Sequence, residues 1–503
     1  MDFWNSLMYL LLVLVSFHFV YSVVKRSTLS RKRLPPGPLP LPLVGNILKL
    51  GVKPHISLAK LARIYGPVIN LELGVVNTIV ISSVDMAREV LQKNDASFSY
   101  RAELDAMTVN DHVKSSIVFL HPGTKWRTMR RICASHMFSG SKLDASQEIR
   151  GKKVLELMSY IENGCRTGTP ISIGLAAFNL ILNILSRTIF SKDFADPDTE
   201  GGTEFKDLIW AILVVAGKPN LSDFFPALKM LDPQGIRRRS EILSTKLHSM
   251  FESMVNERLQ ERKSLGSPTK NDVLDALIDT IQDNNGQAET EVVLSDLPHL
   301  FGDLFAAGID TTSSTIEWAM AELLSHPEKL KIGQAELQDV IGKGNQVQEA
   351  DIPRLSYLNA VIKETLRLHP PVPFLVPRTV ITDVTLGRYT VPKGARVLVN
   401  TWAMGRDRSI WERPSSFEPE RFLNSKLDFK GHDFELIPFG AGRRMCPGLP
   451  MGSRMLHLVL GSLIHSFDWK LQEGVTPKNL DMDEKFGFTL NRARPLMAIA
   501  IKR

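Results

Sequence analysis

The sequence predicts a mainly α protein with a small β portion, set behind a single N-terminal transmembrane helix. Three observations predict it: a long apolar run near the start, helix-period patterning over most of the rest, and only two patches rich in β-branched residues bounded by turn signals.

The apolar run is FWNSLMYLLLVLVSFHFVYSVV, residues 3–24. At about 1.5 Å per residue it reaches roughly 33 Å, the depth of a bilayer core. A cleaved signal peptide is the competing reading, but no basic stretch precedes the run and no A-x-A-like site follows it. Lys25, Arg26, Arg31, Lys32 and Arg33 come next, against Asp2 alone, so +4 of the net +7 sits at this flank. The positive-inside rule then puts everything after residue 24 on the cytosolic side. Charge so localised argues against nucleic acid as a partner, which needs a basic face on the folded body.

Residues 34–46, LPPGPLPLPLVGN, hold five prolines and read as a stiff extended spacer. Residues 66–82 predict a hairpin and residues 379–399 a second extended patch. Helical periodicity dominates elsewhere, as in EFKDLIWAILVVAG, EILSTKLHSMFESMVNERLQERK and LPHLFGDLFAAGIDTTSSTIEWAMAELLSHPEK. Residues 261–272 are a polar surface loop and carry no domain linker. The organisation is an anchor at 1–24, a basic and proline-rich linker at 25–46, and one large body at 47–503.

The three cysteines, Cys133, Cys165 and Cys446, are odd in number and unpatterned, which argues against a disulfide scaffold and for a reducing compartment. No G-x-G-x-x-G unit, H-E-x-x-H, C-x-x-C or G-x-S-x-G elbow occurs, so a redox enzyme built on this chain draws its electrons from a partner. What remains is PFGAGRRMCPGLP, residues 438–450, whose glycines and prolines oppose regular structure around Cys446. A structural thiol is one reading. A ligand or nucleophile is the other, since Arg443 and Arg444 favour thiolate and the apolar-periodic run that follows offers a helix N-terminus. Three cysteines make no tetrahedral zinc site or iron–sulfur cluster, whereas one thiolate in an electropositive loop suits an axial haem ligand.

The order Phe439-x-x-Gly442-x-Arg444-x-Cys446-x-Gly448 is that of the haem-binding loop of the cytochromes P-450, and the chain resembles that family from residue 34 to its C-terminus. The resemblance implies the cytochrome P-450 fold, a haem b whose iron is held by Cys446, and contacts to that haem from Phe439 and Gly448. KETLRLHPP and FEPERF match family motifs in order, which implies a buried Glu364–Arg367–Arg421 network. Trp126 and Arg130 of KWRTMRR, with Arg378 and Arg444, become partners of the haem carboxylates. Arg127 and Arg131 are then either plain surface or a face for an acidic electron donor.

AAGIDTTSST, residues 306–315, is poor in helix formers, so a helix that keeps it is either distorted core or functional. The resemblance makes it the distal helix over the haem, with a widened turn for dioxygen, and makes Asp310 and Thr311 the acid–alcohol pair that delivers protons. That pair argues for oxygen activation over the family's oxygen-independent isomerases and dehydratases, and against a non-catalytic haem-binding protein. The anchor and LPPGP resemble plant microsomal members, implying NADPH-cytochrome reductase as partner, O2 as co-substrate and the endoplasmic reticulum membrane as location.

Several segments resemble the geraniol hydroxylases and related terpenoid oxidases, implying hydroxylation of a small lipophilic terpenoid. Substrate contacts are expected around residues 101–120, at Asp303, Ala306 and Ala307, at residues 371–376 including Val376, and at residues 486–490 including Phe488. HVKSSIVFLHPGTKW, residues 112–126, departs from those relatives. Its first half leans toward benzylisoquinoline hydroxylases, which keeps an alkaloid or phenolic substrate as the alternative.

Overall fold

The computed structural model describes residues 33–195, 202–264, 270–283 and 291–503, with side chains from 204 in the second span. The expected anchor at residues 3–24 and most of its basic flank lie outside these residues.

The proline-rich segment is not a free spacer. It lies along the first hairpin: the Asn70 amide donates to the Pro36 carbonyl at 2.9 Å, and the Asn46 side chain ties the Pro38 and Leu39 carbonyls to the Glu72 amide. Helix α1 (Pro54–Tyr65) opens with proline in its first turn, where a missing N–H costs nothing. Strands β1 (Val68–Leu73) and β2 (Val76–Ile81) form the predicted hairpin, antiparallel from Val68↔Ile81 to Leu73↔Val76. Three short strands complete the sheet: β3 (Tyr100–Arg101), β4 (Arg378–Thr379) and β5 (Arg396–Val399), in the order β1-β2-β5-β4-β3. β2 and β5 run parallel, and β3 pairs with β4 so that Arg101 stands opposite Arg378.

The rest is mainly helix: α2 (Thr124–Cys133), α3 (Gln147–Thr167), α4 (Ile173–Phe190), α5 (Gly202–Ala216), α6 (Ile236–Lys263), α7 (Leu297–Ser325), α8 (Ser356–Leu368) and α9 (Leu449–Ser466). α6 runs to Lys263, into the stretch expected to be loop. α7 is the axis of the body, with α4, α6, α8 and α9 packed around it. α4 is apolar and long enough to span a bilayer, yet most of it is buried, as a core helix is. Phe190, Phe194, Phe205, Phe251, Phe301 and Phe305 knit α4, α5, α6 and α7 together. Ring centroids of Phe190 and Phe301 lie 4.9 Å apart, edge to face, a geometry worth about 0.5–1.5 kcal/mol per pair beyond burial. All three cysteines are free.

Two short strands near the C-terminus matter for the site. β6 (Glu484–Phe486) and β7 (Leu490–Arg492) form a tight hairpin whose tip is residues 487–489.

Candidate active site

Cys446 sits in an irregular loop that ends as α9 begins. Its amide donates to the Phe439 carbonyl at 3.0 Å, which folds the loop back on itself. Gly442 takes φ of +69°, and a Cβ there would stand 2.1 Å from the Leu91 carbonyl oxygen, so only glycine fits. Phe439 is half-buried beside Phe429, and a Cβ on Gly448 would only touch the Cys446 sulfur at 3.8 Å. Burial pushes the Cys446 thiol up, while the Gly448 and Leu449 amides and the charge of Arg130 pull it back. Cys446 keeps accessible surface although protein crowds it on every side. Cys133 is the contrast: fully enclosed, its thiol is pushed up to about 12, which leaves it inert.

Next to this loop lies a cluster of cations. Arg101, Arg378 and Arg444 are buried and Arg130 half-buried. Burial first, then the charges of Arg378 and Arg130, lower Arg444 to about 9; burial lowers Arg378 to about 10. Arg101 is lowered by burial and by the other three. Asp95 is the carboxylate that offsets Arg378 and Arg444, and it also takes the Arg443 amide at 3.1 Å. Like charges facing each other across β3 and β4 are destabilising by themselves. In addition, Arg444 Nη1 and Arg378 Nε are buried without a hydrogen-bond partner. Buried, unpaired donors on repelling cations are a site for an anion, and a haem with two carboxylates fits them. Arg101 was not expected among these cations; its sequence context, a lone arginine in a two-residue strand, gives no signal of burial.

Trp126, expected beside the haem carboxylates, lies among these cations. Its indole N–H donates to the Ile117 carbonyl at 3.2 Å, and its ring lies under Arg444, whose Cζ is 4.3 Å from the centroid. It is a platform for the cations. Arg127 and Arg131, on the same helix, are exposed.

On α7 nearly every residue is buried, but Ala307 is exposed, and Ala306, Gly308, Thr311 and Thr312 are half-accessible. An accessible stripe thus runs along the middle of the central helix. The widened turn expected there does not interrupt the helix, which runs unbroken from Leu297 to Ser325. The hydroxyls are instead absorbed by the backbone: Thr311 Oγ1 donates to the Ala307 carbonyl at 2.6 Å, Ser313 to Ile309 and Thr315 to Thr311. Asp310 points away from the stripe. It is buried, accepts from the Thr489 hydroxyl, and its carboxyl is raised by burial against the bonds from Thr489 and Asn491.

Asp303, expected as a substrate contact, carries a role that the sequence did not announce. His112 Nε2 lies 3.0 Å from its Oδ1, Ser116 Oγ donates to its Oδ2 at 2.7 Å, and the Val118 amide approaches at 3.4 Å. One carboxylate thus holds the segment from His112 to Val118. Two turns earlier, Asp296 accepts from Ser115 and Lys125 at 2.5 and 2.6 Å. Val376 is half-buried, and its carbonyl takes Arg101 Nη1 at 2.7 Å; Phe488 is half-buried against the main core.

The Glu364–Arg367–Arg421 network is present, with Glu364 and Arg367 wholly buried and Arg421 half-buried. Arg367 grips Glu364 through Nε and Nη2, both at 2.7 Å, and Arg421 Nε reaches Glu364 Oε1 at 3.0 Å. The remaining Arg367 donors go to the Gly405, Pro414 and Ser416 carbonyls, and the Glu418 amide also donates to Glu364. The network pins α8 to residues 405–421, the segment leading to the cysteine loop.

Comparison with known proteins bears on this arrangement. The family model Cytochrome P450 matches residues 35–497. Geraniol 8-hydroxylase of Swertia mussotii is 52% identical over 481 residues, 96% of this chain and 96% of that protein. Drimenol monooxygenase of Persicaria hydropiper is 48% identical over 495 residues, 98% of this chain and 97% of that one. Among solved structures, a zebra fish cytochrome P450 with progesterone superposes with a TM-score of 0.76 at 27% identity, covering 90% of this chain and 100% of its own.

Proposed function

The chain belongs to the cytochrome P450 family, a haem b monooxygenase served by a redox-partner reductase, and from that premise we propose that it hydroxylates a terpenoid: a monoterpenol such as geraniol, or a sesquiterpene or diterpene. The observation that carries the reading is the pairing of an accessible Cys446 with buried, unsatisfied arginine donors at Arg378 and Arg444. Cys446 would hold the iron, with the Gly448 and Leu449 amides donating to its sulfur. Arg101, Arg130, Arg378 and Arg444 would take the haem carboxylates, with Trp126 supporting them from behind. Haem held there would supply dioxygen activation, to which the Cys446 thiolate would lend electron density.

The chain's own work is to position, to exclude water and to move protons. Thr311 Oγ1 carries an exchangeable proton on the accessible stripe of α7, parked on the Ala307 carbonyl. Asp310, one residue earlier and raised by burial, is a proton reserve shielded from bulk water. Ala306, Ala307, Val376 and Phe488 offer apolar surface to a lipophilic guest held by shape.

A cationic alkaloid suits this pocket less well than a neutral terpenoid. The carboxylate best placed to pair with an ammonium is Asp303, and it already holds His112 and Ser116. We further propose that residues 1–24 form a single-pass anchor in the endoplasmic reticulum, residues 25–46 the connection, and residues 47–503 a cytosol-facing catalytic domain. The reductase would be NADPH-cytochrome P450 reductase, docking on exposed Arg127 and Arg131.

The test is turnover by purified protein with that reductase and NADPH, on a panel of monoterpenols, sesquiterpenes, diterpenes and benzylisoquinoline alkaloids, scored by product mass. A hydroxylated terpenoid is the expected product. Turnover confined to alkaloids would overturn the substrate class, and a haem-loaded protein that oxidises nothing on the panel would overturn the reading altogether. Reduced protein under carbon monoxide reports the ligand: Cys446→Ala abolishes the long-wavelength Soret band.

A further inference from the structure

The hairpin of β6 and β7 is fastened to α7 along one stripe of the helix. Thr489 Oγ1 donates to Asp310 Oδ2, Ser314 Oγ donates to the Leu490 carbonyl at 3.3 Å, and Trp318 Nε1 donates to the same carbonyl at 3.0 Å. Positions 310, 314 and 318 share a face, four residues apart. From its other side the Leu490 amide donates to the Pro371 carbonyl at 2.8 Å.

The hairpin tip also meets the end of α5. A Cβ on Gly217 would stand 2.3 Å from the Phe488 amide nitrogen and 2.8 Å from the Gly487 carbonyl carbon, so the two backbones are in close contact. Thr489 is thus the next residue after an apolar side chain placed to touch substrate, in a tip that abuts the end of α5, and its hydroxyl ends on the buried acid.

We infer that Thr489 is a positioning residue for the monooxygenase reaction: its hydroxyl aims the Asp310 carboxyl and transmits to it the placement of the hairpin tip against substrate and α5. This rests on the proposed role of Asp310 as proton reserve. No covalent change is involved; the bond fixes which carboxyl oxygen is held and which is free to exchange a proton.

The charged groups near Asp310 are few. On α7, Glu317 lies two turns on, itself raised by burial and by the Asp310 charge. On β7, Arg492 lies over Trp318 and acts on Glu317. Asn491 donates to Asp310 from the same strand. A hydroxyl donor favours the ionised carboxyl, so its removal raises the pKa further and moves the pH profile of coupling to higher pH.

The experiment uses the full-length holoenzyme with its reductase and compares Thr489→Val, Thr489→Ser and Asp310→Asn. Val keeps the shape and loses the hydroxyl; Ser keeps the hydroxyl and loses the methyl. A positioning role predicts that product per NADPH falls about tenfold in Thr489→Val and stays within about twofold of the parent in Thr489→Ser. A packing role predicts the reverse order and overturns the inference. An independent readout is the infrared carboxyl band of aspartate-labelled protein without substrate, assigned by its loss in Asp310→Asn. That band moves in Thr489→Val and holds in Thr489→Ser; an unmoved band overturns the inference. If Thr489→Val does not fold, Thr489→Ala is read on the same two measurements. The underlying reading fails separately: it falls if Asp310→Asn remains tightly coupled, whatever the Thr489 variants do.

Discussion

His112 Nε2 lies 3.0 Å from Asp303 Oδ1, and this pair fastens the segment around residues 112–118 to the N-terminal third of the central helix. The pair makes loop closure sensitive to pH. Burial alone would lower His112, but the charge and hydrogen bond of Asp303 outweigh it and raise its pKa. His299, 3.2 Å away, is lowered to about 4 by burial and by His112 and His248, and His248 is lowered by burial; both stay neutral at physiological pH. A raised folded-state pKa stabilises fully below the unfolded value of about 6.5 and is lost as pH rises through the folded value. Hydrogen exchange over residues 109–120 should therefore quicken above that point. His112→Gln should remove the dependence, and an unchanged slope in that variant would sink the assignment.

The Glu364 network predicts a large and asymmetric stability effect. Glu364 and Arg367 are wholly buried, so removing one partner strands a charge. Glu364→Ala should cost about 3–5 kcal/mol. Arg367→Lys should come close to that, because an ammonium cannot reproduce the two-pronged grip on Glu364 together with three carbonyl contacts. Denaturant titration checks both, and a loss below about 1 kcal/mol, the range of exposed pairs, would contradict the burial.

Much of this was legible in the sequence, and the illegible part has a physical pattern. Helices α5, α6, α7 and α9 follow hydrophobic period, and the β1–β2 hairpin follows β-branching around Gly74. Local order likewise exposed the Cys446 loop, and motif order exposed the Glu364 network. What stayed hidden are partnerships between residues far apart in the chain: Asp303 with His112, Asp310 with Thr489, Arg101 with Arg378. Each is set by which faces of α7 and of the sheet meet other segments, and periodicity says that a face is buried without saying against what. Trp126 is the instructive case. Its placement beside the cations was foreseen, but its N–H is directed by the Ile117 carbonyl, nine residues back.

The arginine cluster predicts opposite effects on the apo- and holoprotein. Without an anion, Arg444 and Arg378 are buried cations with unsatisfied donors. Arg444→Met should leave apoprotein stability unchanged or raised by about 1 kcal/mol, as replacing a poorly compensated buried charge often does. Haem retention should weaken by about tenfold or more in the same variant, from loss of a charge-assisted bond. Apoprotein melting and haem transfer to apomyoglobin measure the two sides. Equal destabilisation of both forms would mean that Arg444 is structural and has no anion to hold.

Thr311 makes a sharper claim about chemistry than any other side chain on α7. Its hydroxyl donates to the Ala307 carbonyl at 2.6 Å, and Ala307 is the exposed centre of the helix's accessible stripe. Removing the hydroxyl leaves that carbonyl its ordinary helical position, and alanine is the better helix former by a few tenths of a kcal/mol. Thr311→Ala should consequently fold, keep its haem and consume NADPH at near the parent rate. What it lacks is the proton donor on the open stripe, so product per NADPH should fall by about tenfold or more, with peroxide making up the difference. Thr311→Ser, which restores the hydroxyl without the methyl, should recover most of the coupling. Loss of haem or of helix stability in Thr311→Ala would assign the hydroxyl to the backbone alone, and tight coupling in that variant would take it out of the proton path.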